Sequence, residues 1–254
     1  MPAVIQSTAN GVMNADGITL TMTGVQSQNL LVAMVSILQA STTAQAAITP
    51  TDTNGSWHDA NSSDLLLDST NAVRFGIMGA VQANCASGNH SVTYNFPNGV
   101  TYAHMTLAEI SGAPTSSPLD SVAGNFASQT GGGSPANSPL TVGPFQQTQR
   151  NNLLLAGICV FAGTGTSNGG ISDPPANYTS LSVDQDLSTT VGAEHAYRVI
   201  STLAPQSVAW AWTDGGVNDV AGFVMIVKDT DPGTGRSFMA ASHRPRPFGP
   251  GIAR

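Results

Sequence analysis

The sequence predicts an all-β protein: two repeated antiparallel β-sandwich units, either tandem sandwiches or one merged jelly roll, followed by an extended C-terminal tail. Three observations predict it. First, Asn29-Leu30-Leu31-Val32-Ala33 returns as Asn152-Leu153-Leu154-Leu155-Ala156, and Gly99-Val100 returns as Gly216-Val217. These offsets of 123 and 117 residues are too long for a solenoid turn and suit a duplicated small domain. Second, the apolar runs are short, alternating or continuous, and none keeps a helical period over eleven residues. Third, Asn10-Gly11, Asn54-Gly55, Asn98-Gly99, Asn168-Gly169 and Asp214-Gly215 punctuate them as turn signals.

In the first copy, Val4-Ile5-Gln6-Ser7 and Thr19-Leu20-Thr21-Met22 read as short strands. The run from 30 to 38 is apolar throughout, as expected of a strand buried on both faces or at a sandwich centre. Strands follow at 73–81, 91–96 and 101–110. The segment 91–96 alternates most cleanly, with Val92, Tyr94 and Phe96 pointing one way and Ser91, Thr93 and Asn95 the other.

The second copy repeats the order with 122–125, 140–142, 153–161, 193–200, 207–212 and 220–227. Val208, Trp210 and Trp212 take the places of Val92, Tyr94 and Phe96, so these aromatics are expected in a core rather than on a binding platform. The division is therefore residues 1–113 for the first repeat, 118–230 for the second and 231–254 for the tail. Gly112-Ala113-Pro114-Thr115-Ser116-Ser117-Pro118 joins the repeats and is too short and proline-restricted for a loose tether.

At 254 residues and 41% hydrophobic composition the chain can fill real cores. Only 9% of residues are charged, far below the roughly 25% of an average soluble protein, so the surface is polar and nearly neutral. The charge that exists is unevenly placed. Residues 1–230 hold fourteen acids against four bases, a balance of −10, while residues 231–254 hold four arginines against Asp231, a balance of +3. An acidic body disfavours nucleic-acid binding, which needs a lysine and arginine patch. No apolar run reaches the eighteen or so residues of a membrane helix, and the N-terminal segment has no basic start or apolar core, so membrane insertion and a signal peptide are not expected.

No catalytic or metal pattern assembles. His58, His90, His104, His195 and His243 stand outside nucleophile-elbow and zinc motifs, and no cofactor site is expected. His104 and Glu109 lie five apart on one strand, hence on opposite faces, and adjacent Glu194 and His195 also point apart. The chain is therefore read as a non-enzyme. Cys85 and Cys159 occupy non-equivalent positions, and Cys159 is expected as a buried free thiol. Asp52-Thr53-Asn54-Gly55-Ser56-Trp57 starts like a calcium loop but lacks its later ligands. With Asp173 and Tyr178 as its counterpart, it is read as an aspartate capping a turn and an aromatic pinning the loop. Trp57 and Tyr178 are also the candidates for stacking on a surface glycan. In the tail, Pro232, Pro245, Pro247 and Pro250 exclude regular structure, while Phe238, Met239, Phe248 and Ile252 supply anchors. Arg244, Arg246, Phe248 and Arg254 are expected to dock on an acidic partner surface.

The set Asn29 to Ala33, Asn54-Gly55-Ser56-Trp57, Ala108-Glu109-Ile110-Ser111-Gly112 and Ser117-Pro118-Leu119-Asp120 carries a resemblance, with Ala196-Tyr197-Arg198-Val199 and Ser207-Val208-Ala209-Trp210 downstream. It resembles the duplicated β-sandwich structural proteins of tailed bacteriophages, which are related to repeats in bacterial surface proteins. The likeness covers about residues 3 to 229. It implies a non-enzymatic virion component, a capsid decoration or tail-associated protein, with other virion proteins and further copies of itself as partners. Such a protein is made in a host cytoplasm and released by lysis, which suits the missing signal peptide. The alternative on the same fold is a carbohydrate- or receptor-binding module on a particle or cell surface.

Overall fold

A computed structural model describes residues 1–44, 49–59, 65–70, 72–120, 126–130, 138–162, 171, 174–186, 191–213 and 217–230. Among these residues there are strands and turns and no helix. The first half contains β1 (Ala3–Val25), β2 (Leu30–Gln39), β3 (Thr51–Asp52), β4 (His58–Asp59), β5 (Leu66–Asp68), β6 (Val73–Gln82) and β7 (Gly88–Ser111). The second contains β8 (Phe126–Thr130), β9 (Leu140–Phe145), β10 (Asn152–Ala162), β11 (Thr179–Asp186), β12 (Val191–Ile200), β13 (Gln206–Trp210) and β14 (Val217–Val227). All pairings are antiparallel.

The halves share one topology. In the first, the sheet runs β1-β7-β2-β6-β4, with β5 also on β6 and β3 on β7. In the second, a sheet of order β11-β12-β10-β14-β8 is accompanied by the pair β13-β9. Thus β2 corresponds to β10 and β6 to β12. The two ends of β1 correspond to β8 and β9, and the two ends of β7 to β13 and β14. The difference is continuity. β1 and β7 run unbroken through the first half and bend where Ala15↔Val100 gives way to Gly17↔Asn95. Residues 96–99 form the excess there, and Gly99 supplies the left-handed backbone (φ 63°) that lets β7 resume.

Two sequence expectations change accordingly. The segments 91–96 and 101–110 are parts of one strand, with a bulge at Asn98-Gly99 instead of a hairpin turn. Asn10-Gly11 is not a turn at all: the two residues pair with Met105 and His104 in mid-strand. An Asn-Gly pair permits a tight turn without requiring one, and the long partner strand β7 decides the outcome.

Alternation along β2 and β10 explains their uninterrupted apolar runs. Leu31, Ala33, Val35 and Ile37 face the first half's own core with Val92, Tyr94, Phe96 and Trp57. Leu30, Val32, Met34 and Leu38 face the other way and meet Leu153, Leu155, Cys159 and Phe161 of β10. The opposite face of β10, Leu154, Ala156, Ile158 and Val160, packs on Val208, Trp210 and Trp212. Both strands are buried on both faces, and three apolar layers stack through the molecule. The middle layer belongs equally to the two halves.

Cys85 and Cys159 are free and buried. Burial, aided by the Glu109 charge, pushes the Cys85 thiol up to about 11, and burial pushes Cys159 up to about 12. Neither is a reactive thiolate at neutral pH.

Candidate functional site

The middle apolar layer carries a polar interruption that spans the two halves. On β2 the fourth inward position is Ser36 where its neighbours are aliphatic. Its Oγ lies 3.1 Å from Nε2 of His195 on β12, and Nδ1 of the same ring lies 2.7 Å from Thr106 Oγ1 on β7. Thr106 Oγ1 is 2.5 Å from Ser182 Oγ on β11, and Ser182 Oγ is 2.9 Å from Nε2 of His104. Ser36, Thr106, His104 and His195 are all buried. Hydroxyls both donate and accept, so these four contacts can be hydrogen bonds with the protons running along the chain in either direction. Burial, and then the neighbouring His104 at 5.3 Å between ring centres, holds His195 well below the usual histidine range, so its ring is neutral at neutral pH. Gly157, the cross-strand partner of His195, makes the space: a Cβ there would stand 2.1 Å from Ile77 Cδ1 and 2.9 Å from His195 Cδ2.

The chain ends in a cleft. β1 overhangs the edge of the second half's sheet, and its small residues Ala9 and Gly11 leave a hollow of about 440 Å³ beside His104 and Ser182. Tyr102, Met13 and Val183 also line it, the last two 36% and 55% exposed. No aspartate, glutamate, lysine or arginine is among the described residues lining it. Chemically it offers a hydroxyl and an imidazole as hydrogen-bonding groups, flanked by apolar rims.

A second polar cluster lies on the far face of β7. His90 Nδ1 sits 2.5 Å from Asp52 Oδ2, with both side chains fully buried, and His90 Nε2 lies 2.9 Å from the Ala86 carbonyl. Glu109 accepts from Gln6 Nε2 (2.6 Å), Gln26 N (2.8 Å) and Asn29 Nδ2 (2.6 Å). Burial alone would raise its carboxyl, but these three bonds and the His90 charge outweigh it and hold the group below its ordinary value. The cluster explains half of the repeated Asn-Leu-Leu motif. Asn29 anchors on Glu109, and its equivalent Asn152 anchors on Asp120 (3.3 Å), each just after a residue in the left-handed region, Gln28 and Asn151. Among the described residues no group of three or more histidine, cysteine, aspartate or glutamate side chains could hold a metal ion.

The residues expected from sequence fall as follows. Asp52 caps its turn, with Asn54 N donating to Oδ1 at 3.3 Å, and Asn54 Nδ2 ties the loop to the Asn89 carbonyl. Trp57 is 7% exposed and part of the first half's core, so its face is not offered to a sugar; the loop draws it inward beneath Leu65 and Ala80. Tyr178 is half-buried against the second half's core, with Arg198 Cζ 5.2 Å from its ring centre. The two aromatics pack on different cores and form no common platform. Val208, Trp210 and Trp212 are buried, as are Val92, Tyr94 and Phe96. Arg244, Arg246, Phe248 and Arg254 lie outside the described residues, as does Asp173.

Sequence reasoning missed the Ser36–His195–Thr106–Ser182–His104 chain, whose members come from four strands. The available signal was polar residues inside apolar strand runs, each of which needs a buried partner. Neither a family model nor a curated protein matches the chain.

Proposed function

We propose that the chain is a non-enzymatic structural protein of a virus particle, a capsid decoration or tail-associated component that docks through its C-terminal arm. The observation that carries this reading is the shared middle layer, which makes a duplicated chain into one rigid, charge-poor β block. A body of this kind suits an exposed particle surface better than it suits a hinge-closing enzyme. The arm enters on its sequence: Arg244, Arg246 and Arg254 would pair with acidic surface on a neighbouring virion protein, and Phe248 would fill a pocket. Exposed ion pairs are screened within about 8 Å at physiological ionic strength, so attachment weakens as salt rises. The test is cosedimentation of the full chain with particles from its source, imaged by negative stain, beside a chain lacking residues 237–254. The expected result is particle-bound protein, lost on deletion with the melting temperature of the body unchanged. Protein that fractionates free of particles, or a truncated chain that binds undiminished, overturns the reading.

The cleft favours a second reading, a glycan- or receptor-binding module on a particle or cell surface. A hollow with a hydroxyl, an imidazole and apolar rims, and no aspartate, glutamate, lysine or arginine among its described lining, suits an uncharged polyhydroxyl ligand better than a charged one. Glycan-array binding abolished by Ser182→Ala, with melting unchanged, is the result that would put this reading first.

A further inference from the structure

We infer that the free edge of β1 pairs with the same edge of a second copy, joining two chains through one continuous antiparallel sheet. Among the described residues the two large sheets also end on β3, β4 and β5 and on β8 and β11, and each of these carries features that discourage pairing. β3 and β4 are two residues long, β5 three and β8 five. β11 is longer, but its register is broken between Ser180 and Ser182 and its sequence carries Asp184 and Asp186. Short, bulged and charged edges are the ordinary means by which sheets avoid one another.

β1 has none of these guards along most of its length. From Ala3 to Ala15 it contains no charged residue and no proline. Its register with β7 is unbroken from Gln6↔Glu109 to Ala15↔Val100, and no described strand pairs with its other side. Ser7, Ala9, Asn10 and Met13 are exposed, and Ile5, at the bulge between Val4 and Gln6, is 50% exposed. An uncharged strand on an otherwise acidic body repels no second copy of itself, whereas a partner recruited by charge would find nothing here to read. Antiparallel pairing of two identical strands is also the arrangement a two-fold axis produces, so the contact closes with two chains and leaves no open end. Pairing over residues 3–13 would make about ten main-chain hydrogen bonds, the number an ordinary specific interface carries. This contact is independent of the arm and of the particle reading.

Sedimentation velocity of the full chain tests it, beside an Ile5→Lys/Ser7→Lys variant that gives the edge the charge it lacks without entering the hollow. The expected result is a concentration-dependent dimer for the parent and a monomer for the variant at unchanged melting temperature. Hydrogen exchange on the parent gives a measurement that does not depend on the variant folding: amide protection within residues 6–13 should rise with protein concentration. A monomeric parent, a variant that dimerises as the parent does, or exchange in β1 that ignores concentration each overturns the proposal.

Discussion

His195 joins the two halves through one ring, bonded to Ser36 and Thr106 of the first. Its ring is neutral, buried and bonded through both nitrogens. Its folded pKa lies well below the ordinary 6.5, so below that pH the unfolded chain takes up a proton that the native ring refuses. The stability contributed by the neutral ring is therefore full above 6.5 and is lost as pH falls beneath it toward the lower folded value. Glu109 acts in a lower window: its carboxyl is depressed from 4.5, so its contribution is full above that value and lost as pH falls through the depressed one. Thermal unfolding followed across pH should show the parent losing stability first below 6.5, and His195→Gln should lose less as pH falls beneath that value. The chain around His195 was not legible in the sequence, because Ser36, Thr106, Ser182 and His195 are far apart along the chain and no local spacing links them. What was legible was local: the Asp52 turn cap and the buried stripe of Val92, Tyr94 and Phe96.

At the scale of elements, the strands declared themselves through period-two alternation, and β2 and β10 through the absence of it. The lengths of β1 and β7 did not. Asn10-Gly11 and Asn98-Gly99 look alike in sequence, yet one continues a strand and the other bends it, because partner strands rather than dipeptides set the register. Between elements of different halves, Gly157 of β10 lies against Ile77 of β6 with no room for a side chain. Gly157→Ala should destabilise the protein by about 1–3 kcal/mol, as added methyl groups do in close-packed cores. Ile77→Val removes the Cδ1 atom that the new methyl would strike, so the double variant should recover part of that loss in chemical denaturation, the remainder reflecting His195 Cδ2.

For the whole molecule, the duplication was visible as repeated motifs, while the way the copies meet was not, since apolar runs buried on both faces fit tandem and merged sandwiches alike. The shared layer makes a thermodynamic prediction. Separated, the first half would expose Leu30, Val32, Met34, Leu38, Phe75 and Ile77 to water, so neither half should hold its fold alone. Heat should unfold both in a single transition. Trp57 reports on the first half and Trp210 with Trp212 on the second, so Trp57→Phe isolates the second signal. Its midpoint should coincide with that from far-ultraviolet circular dichroism; two separated midpoints would show independent domains. The unbroken course of β1 and β7 bears on something else, the response to mechanical load. Tension on the first half is borne along covalent chain that threads both of its layers, whereas β9 and β13 are tied to the rest of the second half through separate connections. A pull on the molecule would therefore peel that small pair away first and leave the long bent ribbon as the last part to yield.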